Sequence, residues 1–208
     1  MRARLWPSAF AVLALLALSV SQSPAKVTQP HAQPAASSGA WTQYHGDDAH
    51  TGYDATVPLM SSASTGWTSA VLDQEIFASP LIFNGVVYAA TLNNTVYALN
   101  QSTGAVIWSK NVGAAQTSGW SCGNIGQAGI LGTPVIDSST NRIYVVGEIA
   151  GTTPTYHLFG LDLGNAGNIV LNTAIAPAGF NWAIEGQRGA LSLHGGNVYV
   201  PFGGRFGD

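Results

Sequence analysis

Charged residues are scarce in this sequence, where only 8% of the 208 residues are Asp, Glu, Lys or Arg. The 7 Lys and Arg residues are outnumbered by 10 Asp and Glu residues, so the composition excludes a basic nucleic-acid-binding protein. Intrinsic disorder is excluded because 46% of the residues are hydrophobic. The 25 glycines, six tryptophans and seven tyrosines instead indicate a β-rich extracellular protein with an uncharged polar surface.

No apolar run in the sequence reaches the length of about 20 residues that a bilayer span needs. A shorter run at residues 9–18 follows Arg2 and Arg4 and precedes small residues suited to signal peptidase. We therefore predict a cleaved signal peptide over residues 1–25, no stable membrane span, and a secreted or periplasmic location in the cell envelope. An uncleaved anchor is the alternative. Residues 26–40, rich in Pro and Ser, predict a flexible linker.

A strand-turn-strand motif recurs in the remaining domain, residues 41–208. Its first copy, residues 81–90, turns at Asn84-Gly85, which is a strong hairpin signal. Two more apolar segments follow after short turns, at residues 95–99 and 106–108. Together these segments predict one antiparallel sheet of four strands.

The same motif returns at residues 133–146 and again at residues 189–200. The three copies place Tyr88, Tyr144 and Tyr199 about 55 residues apart. Four-stranded antiparallel units at a fixed period are typical of propeller blades, so we predict an all-β propeller with about three blades present. A two-sheet sandwich is the alternative, although sandwiches seldom repeat one motif at a fixed period.

The turn after the third strand carries a spaced motif made of Ala98, Asn100, Thr103, Gly104 and Trp108. It resembles the tryptophan-docking motif of quinoprotein dehydrogenase propellers and other PQQ-like repeat proteins, A-x-D-x-x-T-G-x-x-x-W, with Asn100 standing in place of Asp. The motif also has a physical interpretation. Glycine permits a left-handed turn, and the large indole can bridge adjacent blades.

Weaker matches lie on both sides of this motif. Asp162 keeps the acid in the second repeat, where no Trp follows, and residues 65–67 form a remnant of the motif upstream. The segment that begins at Trp41 resembles the leading strand of these propellers, which often completes the last blade. Closed propellers have about four to eight blades. The resemblance therefore implies an incomplete propeller, the N-terminal part of a longer polypeptide truncated at the C-terminus.

Cys122 is the single cysteine of the sequence. An odd cysteine in an exported protein indicates a disulfide with a partner outside the sequence or an unpaired thiol. We favour a disulfide with a partner beyond Asp208 over a buried, unreactive thiol. A catalytic thiolate is the least favoured interpretation, because the sequence shows no nearby cation to lower its pKa.

Few polar residues form a pattern that indicates a site. His45, Asp47, Asp48 and His50 are close in sequence, but their spacing fits neither zinc nor calcium, so we predict no metal site.

In propellers, the loops that join blades at one end face the central channel. There Glu185 and Arg188, with Trp120 as a stacking surface, are weak candidates for binding a quinone or a carboxylate. The structural alternative pairs Arg188 with Glu185 or with backbone carbonyls.

Function is less constrained than fold, because propellers host enzymes, scaffolds and binding modules. We predict a non-catalytic binding or scaffold module whose partner is a protein, a glycan or a small molecule, with no cofactor assured. The resemblance implies one alternative, a dehydrogenase that oxidises an alcohol or sugar with pyrroloquinoline quinone and calcium. The adjacent cysteine pair that such dehydrogenases often carry is absent from the sequence, which weakens the enzymatic alternative.

Overall fold

A computed structural model describes residues 39–55, 62, 65–120 and 125–205. The described residues form β-strands and turns and contain no helix. Accordingly, no helix in this part of the chain has the length and apolar character to cross a membrane. The predicted signal peptide, residues 26–38 of the predicted linker, and Cys122 lie outside the described residues.

The first antiparallel sheet contains the four strands predicted from the sequence. In order across the sheet, they are β1 (Leu81–Phe83), β2 (Val86–Ala90), β3 (Thr95–Asn100) and β4 (Val106–Asn111). The predicted hairpin at Asn84-Gly85 is confirmed, with φ angles of 50° and 74°. Two successive positive φ angles are the requirement of the tight turn that Asn-Gly favours.

The second sheet repeats the order of the first. It consists of β5 (Val135–Asp137), β6 (Arg142–Ile149), β7 (Thr155–Asp162) and β8 (Asn168–Ile175). The repeat is also present in the register, because Leu81 pairs with Tyr88 in the first sheet and Val135 pairs with Tyr144 in the second. The sequence period therefore reflects equivalent positions in two blades.

A third repeat is represented by two pairs of short strands. They are β9 (Glu185–Gly186) with β12 (Gly203–Gly204), and β10 (Ser192–His194) with β11 (Asn197–Tyr199). Tyr199 pairs with Ser192 as the earlier tyrosines pair with their first strands. Tyr199 is 54% exposed, whereas Tyr88 is only 5% exposed and belongs to the core between the first two sheets.

Apolar cores lie between successive sheets. Alternate residues of β7 divide between them, with Phe159 and Leu161 in the first core and Tyr156 and Leu158 in the second. The first strands are neighbours, since β1 contacts β5 and β5 contacts β10. Sheets that follow one another side by side around their first strands form an incomplete propeller and exclude the two-sheet sandwich.

Indole rings join each repeat to the next. Trp67 lies on Gly104, where an added Cβ atom would come within 2.3 Å of the ring, and Trp108 lies on Gly167, where the distance would be 2.6 Å. The indole nitrogen of Trp67 also donates to the carbonyl of Gln101 at 2.8 Å. The remnant at residues 65–67 therefore still docks its indole on the following repeat, as the full motif does.

Asn100 serves where the motif usually has Asp because both side chains offer a carbonyl-type oxygen. Its Oδ1 atom accepts hydrogen bonds from the backbone nitrogens of Ser102, at 2.9 Å, and Thr103, at 3.1 Å. In the second sheet, Oδ1 of Asp162 accepts from the nitrogen of Gly164 at 2.9 Å. Ala98 pairs with Trp108 across β3 and β4, beside a register shift that recurs between β7 and β8.

The segment beginning at Trp41 lies against the first strands. Trp41 pairs with Ile82, and the carbonyl of Thr42 accepts from the nitrogen of Ile136 at 2.7 Å. Farther along, a carboxylate oxygen of Asp48 lies 2.8 Å from Nδ1 of His194. The segment thus touches all three repeats, and its expected pairing with a last blade stays a prediction.

We expect Gly104→Ala to lower the free energy of unfolding more than Gly85→Ala. Both glycines have positive φ, 72° and 74°, so both variants suffer backbone strain of about 1 to 2 kcal/mol. Only at Gly104 does the new methyl group meet an indole, because Gly85 has no atom within 4 Å of its Cβ position. Overpacking of this kind adds about 1 to 3 kcal/mol. Urea unfolding of both variants measures the difference, and equal losses would contradict the docking role of Trp67.

Candidate functional site

The connections that follow β2, β4, β6 and β8 all lie at one end of the blades, because neighbouring strands are antiparallel. We call this end the loop end. At this end lie the last residues of β6, the first residues of β7 and the strand pair β9–β12. The buried ion pair of Glu148 and Arg205 is found there.

A buried carboxylate is the centre of this cluster. Glu148 is fully buried, and its Oε1 atom accepts from Nη2 of Arg205 at 2.6 Å. Its Oε2 atom accepts from the hydroxyl of Tyr156 at 2.7 Å, and the same Arg205 nitrogen donates to that hydroxyl at 2.7 Å. Both carboxylate oxygens are therefore bonded to protein groups, as a buried charge requires.

Besides β6 and β7, Arg205 contacts two further segments of the loop end. Its Nε donates to the carbonyl of Trp182 at 2.9 Å, and its guanidinium lies 5.1 Å from the ring of Trp120. On the backbone side, Arg205 packs within 3.5 Å of the Cβ position of Gly186. The guanidinium group thus makes both directed hydrogen bonds and a stacking contact, which a lysine side chain could not combine.

The cluster has unusual proton affinities. Burial raises the pKa of the Glu148 carboxyl above its ordinary value, although the Tyr156 hydroxyl and Arg205 act in the opposite direction. Burial and the negative charge of Glu148 also raise the pKa of the Tyr156 phenol far above its usual range. Tyr156 is therefore a neutral hydrogen-bond donor at physiological pH.

Two buried amide oxygens near this cluster have no hydrogen-bond partner among the described residues. One is Oδ1 of Asn94, whose amide nitrogen donates to the carbonyl of Glu148 at 2.8 Å. The other is Oε1 of Gln187, whose amide nitrogen donates to the carbonyl of Gly189 at 2.6 Å. The Asn94 bond joins the first repeat to the second, whereas the Gln187 bond stays within the segment that leads into β10.

The structure gives the three residues proposed from the sequence separate partners. Trp120 stacks on Arg205, and Glu185 accepts from the backbone nitrogen of Asn181 at 2.6 Å. Arg188 lies 5.7 Å from the ring centre of Phe77. The salt bridges of the described residues do not include one between Arg188 and Glu185, which was one form of the structural alternative.

Asp47 and His45 of the leading segment have local partners. The Asp47 carboxylate accepts from the Thr51 backbone nitrogen at 3.0 Å and from its hydroxyl, and these bonds lower the pKa of Asp47. Nδ1 of His45 lies 3.1 Å from the carbonyl of His50. Among the described residues, no three His, Cys, Asp or Glu side chains are grouped as a metal site would need.

Comparisons with solved structures identify the architecture, whereas no family model and no curated protein matches the chain. The quinohemoprotein alcohol dehydrogenase ADHIIG from Pseudomonas putida HK5 superposes with a TM-score of 0.56 at 19% identity, over 80% of this chain and 23% of that one. The chain adopts the quinoprotein-like β-propeller fold. At this identity the likeness concerns the fold alone.

Two further structures overlap with the propeller less well. BamB from Moraxella catarrhalis gives a TM-score of 0.39 at 21% identity, over 64% of this chain and 33% of that one. The quinohemoprotein alcohol dehydrogenase from Comamonas testosteroni gives 0.37 at 13% identity, over 69% and 28%. The chain spans between 23% and 33% of the length of these three proteins.

The described residues of the propeller do not fit a quinone site built from Trp120, Glu185 and Arg188. A quinone carrying several carboxylates needs cations and a stacking surface that converge on one place. Here one face of Trp120 is occupied by Arg205, and the carboxylate of Glu185 is used by a backbone nitrogen. No hydrogen bond or ion pair joins the three side chains within the described ranges.

Sequence reasoning missed the cluster of Glu148, Tyr156 and Arg205. One signal was present, because Glu148 is the only acid within the apolar strand β6. An acid flanked by apolar residues in a strand predicts a buried charge that needs a partner. Its partner was not predictable locally, since Arg205 is 57 residues away and belongs to the next repeat.

We expect the Glu148→Gln variant to change how stability depends on pH. Because the folded pKa of Glu148 is raised, the folded propeller binds this proton more tightly than the unfolded chain, whose ordinary value is 4.5. The contribution of Glu148 therefore falls as pH rises from its ordinary pKa through the folded pKa, by at most about 1.4 kcal/mol per pH unit. Urea unfolding from about pH 4 to about pH 8 should show this decline in the natural chain relative to Glu148→Gln. Parallel curves would contradict the raised pKa.

Proposed function

We propose that this chain is an exported β-propeller that works as a binding or scaffold module at the cell envelope or outside the cell. The proposal includes a cleaved signal peptide over residues 1–25, a linker over residues 26–40 and a propeller domain from residue 41. Its ligand is a protein, a glycan or a small molecule. The weakly charged surface of the chain argues against nucleic acid.

One observation carries the proposal, the exposed contact between Phe77 and Arg188. Phe77 is 43% exposed, its neighbour Ile76 is 41% exposed, and Arg188 is exposed as well. Phe77 precedes β1 by the same number of residues as Arg188 precedes β10, so the two come from equivalent positions in the first and third repeats. Aromatic and arginine side chains dominate the energetics of binding surfaces.

The bonding of the buried cluster supports binding over catalysis. A general acid or base must reach a substrate with an available oxygen or nitrogen. Both oxygens of Glu148 are held by Arg205 and Tyr156, which makes the cluster a support for the loops. Phe77 and Arg188 lie at the same end of the repeats as this cluster, which helps to hold that end in place.

The alternative is a dehydrogenase that oxidises an alcohol or sugar with pyrroloquinoline quinone and calcium. The fold shared with a quinohemoprotein alcohol dehydrogenase favours it. When bound, the quinone would accept the electrons and calcium would polarise it. Since the chain spans 23% of that dehydrogenase, residues outside this sequence would have to supply most of such a site.

Titration with the quinone and calcium separates the two functions. Under our proposal, tryptophan fluorescence of the protein shows no saturable quenching at concentrations on the order of tens of micromolar. No calcium-dependent oxidation of alcohols or sugars with an artificial dye as acceptor is expected either. Saturable quenching together with calcium-dependent turnover would replace the binding module with the dehydrogenase.

We expect the double variant Phe77→Ala, Arg188→Ala to lose its partner. Removing two anchor residues weakens binding by about tenfold or more. The matched control is Ile107→Ala, which removes a 52% exposed apolar side chain from the outer strand β4. Envelope extracts and glycan arrays are probed with both variants and the natural chain, and bound partners are quantified by mass spectrometry or fluorescence. Equal losses in both variants, or none, would contradict a binding surface at Phe77 and Arg188.

A further inference from the structure

Three side-chain amides form a row across the loop end of the first repeat. Nδ2 of Asn93 donates to a carboxylate oxygen of Asp73 at 2.9 Å, and Oδ1 of Asn93 accepts from Nε2 of Gln127 at 2.9 Å. Oε1 of Gln127 in turn accepts from Nε2 of Gln74 at 3.1 Å. We call Asn93, Gln127 and Gln74 the amide row.

Asp73 anchors one end of the amide row. Its carboxylate also accepts from the hydroxyls of Thr91, at 2.8 Å, and Thr95. Burial acts to raise the pKa of Asp73, but these hydrogen bonds and that of Asn93 outweigh it and hold the pKa below its ordinary value. The carboxylate is therefore ionised at neutral pH and can only accept hydrogen bonds.

The amide row joins two repeats through equivalent positions. Asp73 precedes β1 by the same number of residues as Gln127 precedes β5. Asn93 lies in the connection between β2 and β3 and bonds to both of these residues. The geometry of the row is therefore set by the packing of the first repeat against the second.

The two ends of the amide row fix the orientation of every amide in it. Because the Asp73 carboxylate only accepts, Asn93 must turn its nitrogen toward Asp73 and its oxygen toward Gln127. At the other end, Oε1 of Gln74 accepts from the backbone nitrogen of Glu75 at 3.0 Å, and that nitrogen can only donate. All the hydrogen bonds along the row therefore point toward Asp73.

Each amide nitrogen of the row keeps one N–H group for a ligand. A primary amide nitrogen carries two protons, and each of these three nitrogens makes a single hydrogen bond within the described part of the chain. All three side chains are partly exposed. The row thus presents three donors that are already held in place, which reduces the entropy lost on binding.

The charges around the amide row favour a neutral ligand. Asp73 is ionised at one end of the row, and Glu75 is an exposed acid at the other end. Among the described residues, no Lys or Arg side chain bonds to the row or to these two acids. An anionic ligand is therefore repelled, whereas hydroxyl groups can accept from the amides.

An exposed apolar surface adjoins the amide row. Ile76 is 41% exposed and Phe77 is 43% exposed, and both closely follow Gln74 in the chain. The carbonyl of Glu75 accepts from the backbone nitrogen of Leu92 at 3.0 Å, so this segment runs beside the connection that carries the row. A few fixed polar groups beside an aromatic ring can orient a ligand that is polar at its edges and apolar on one face. Sugar rings have this character.

We propose that the amide row and Phe77 bind a neutral glycan. The spare N–H groups of the row donate to sugar oxygens, and the apolar face of a sugar ring packs on Phe77. This inference rests on the binding-module function proposed above. It names a glycan as the ligand, in place of a protein or another small molecule.

An array of neutral and acidic oligosaccharides tests the ligand class. We expect the natural chain to bind neutral members of the array in preference to members that carry carboxylate or sulfate groups. The dissociation constant for the neutral oligosaccharide with the strongest signal is then measured by isothermal titration calorimetry.

The double variant Gln74→Met, Gln127→Met tests the site. It removes two of the three donors and nearly keeps the length of the side chains, so we expect binding to weaken by at least about tenfold. The matched control is Gln101→Met, which changes an exposed glutamine in the turn between β3 and β4, at the opposite end of the sheet. This control should bind like the natural chain. Urea unfolding checks that both variants are folded, and Gln74→Met alone repeats the measurement if the double variant is unstable.

Three outcomes would overturn the glycan site. The first is equal binding by the folded glutamine variant and the natural chain, and the second is a preference for acidic oligosaccharides. The third is no binding of any neutral oligosaccharide at concentrations on the order of millimolar. In that third case, a protein that the natural chain captures and Phe77→Ala, Arg188→Ala loses would keep the binding-module function. The failure of the glycan site is thereby distinguished from the failure of the proposed function.

Discussion

The second sheet has two apolar faces, and each face is covered by a neighbouring repeat. The side chains of β7 show this directly, since Phe159 packs toward the first sheet while Leu158 packs toward the third repeat. A single blade therefore cannot bury its own core, and stability arises between repeats. Trp67 and Trp108 strengthen these interfaces by placing a large ring on a glycine of the next repeat.

The buried ion pair at the loop end also depends on contact between neighbouring repeats. Glu148 is buried because it lies between two repeats, and its partner Arg205 comes from the repeat that buries it. Removing one member of a buried ion pair leaves an uncompensated charge, which is far more destabilising than the pair is stabilising. The pair therefore adds one specific contact to the apolar core that holds the third repeat against the second.

Much of the fold could be predicted because its signals are local and repeated. Tyr88, Tyr144 and Tyr199 mark one register position in three hairpins, and Asn100 marks a turn whose geometry needs only a side-chain oxygen. The site was harder to predict. Arg188 and Glu185 are neighbours in sequence, yet Arg188 packs on Phe77 and Glu185 bonds to Asn181. Contacts between repeats, such as Glu148 with Arg205, have no local sequence signature.

Trp67 and Trp108 each dock on a glycine that comes later in the chain, so these two contacts follow the order of the sequence. Trp67 precedes Gly104 in the chain, and Trp108 precedes Gly167, so both of these rings are synthesised before the glycines that receive them. Domains emerging during synthesis or export become available from the N-terminus onward. Each newly completed turn can therefore join a ring that is already present. The order of these contacts is thus compatible with repeats that dock one after another as the chain is synthesised from its N-terminus.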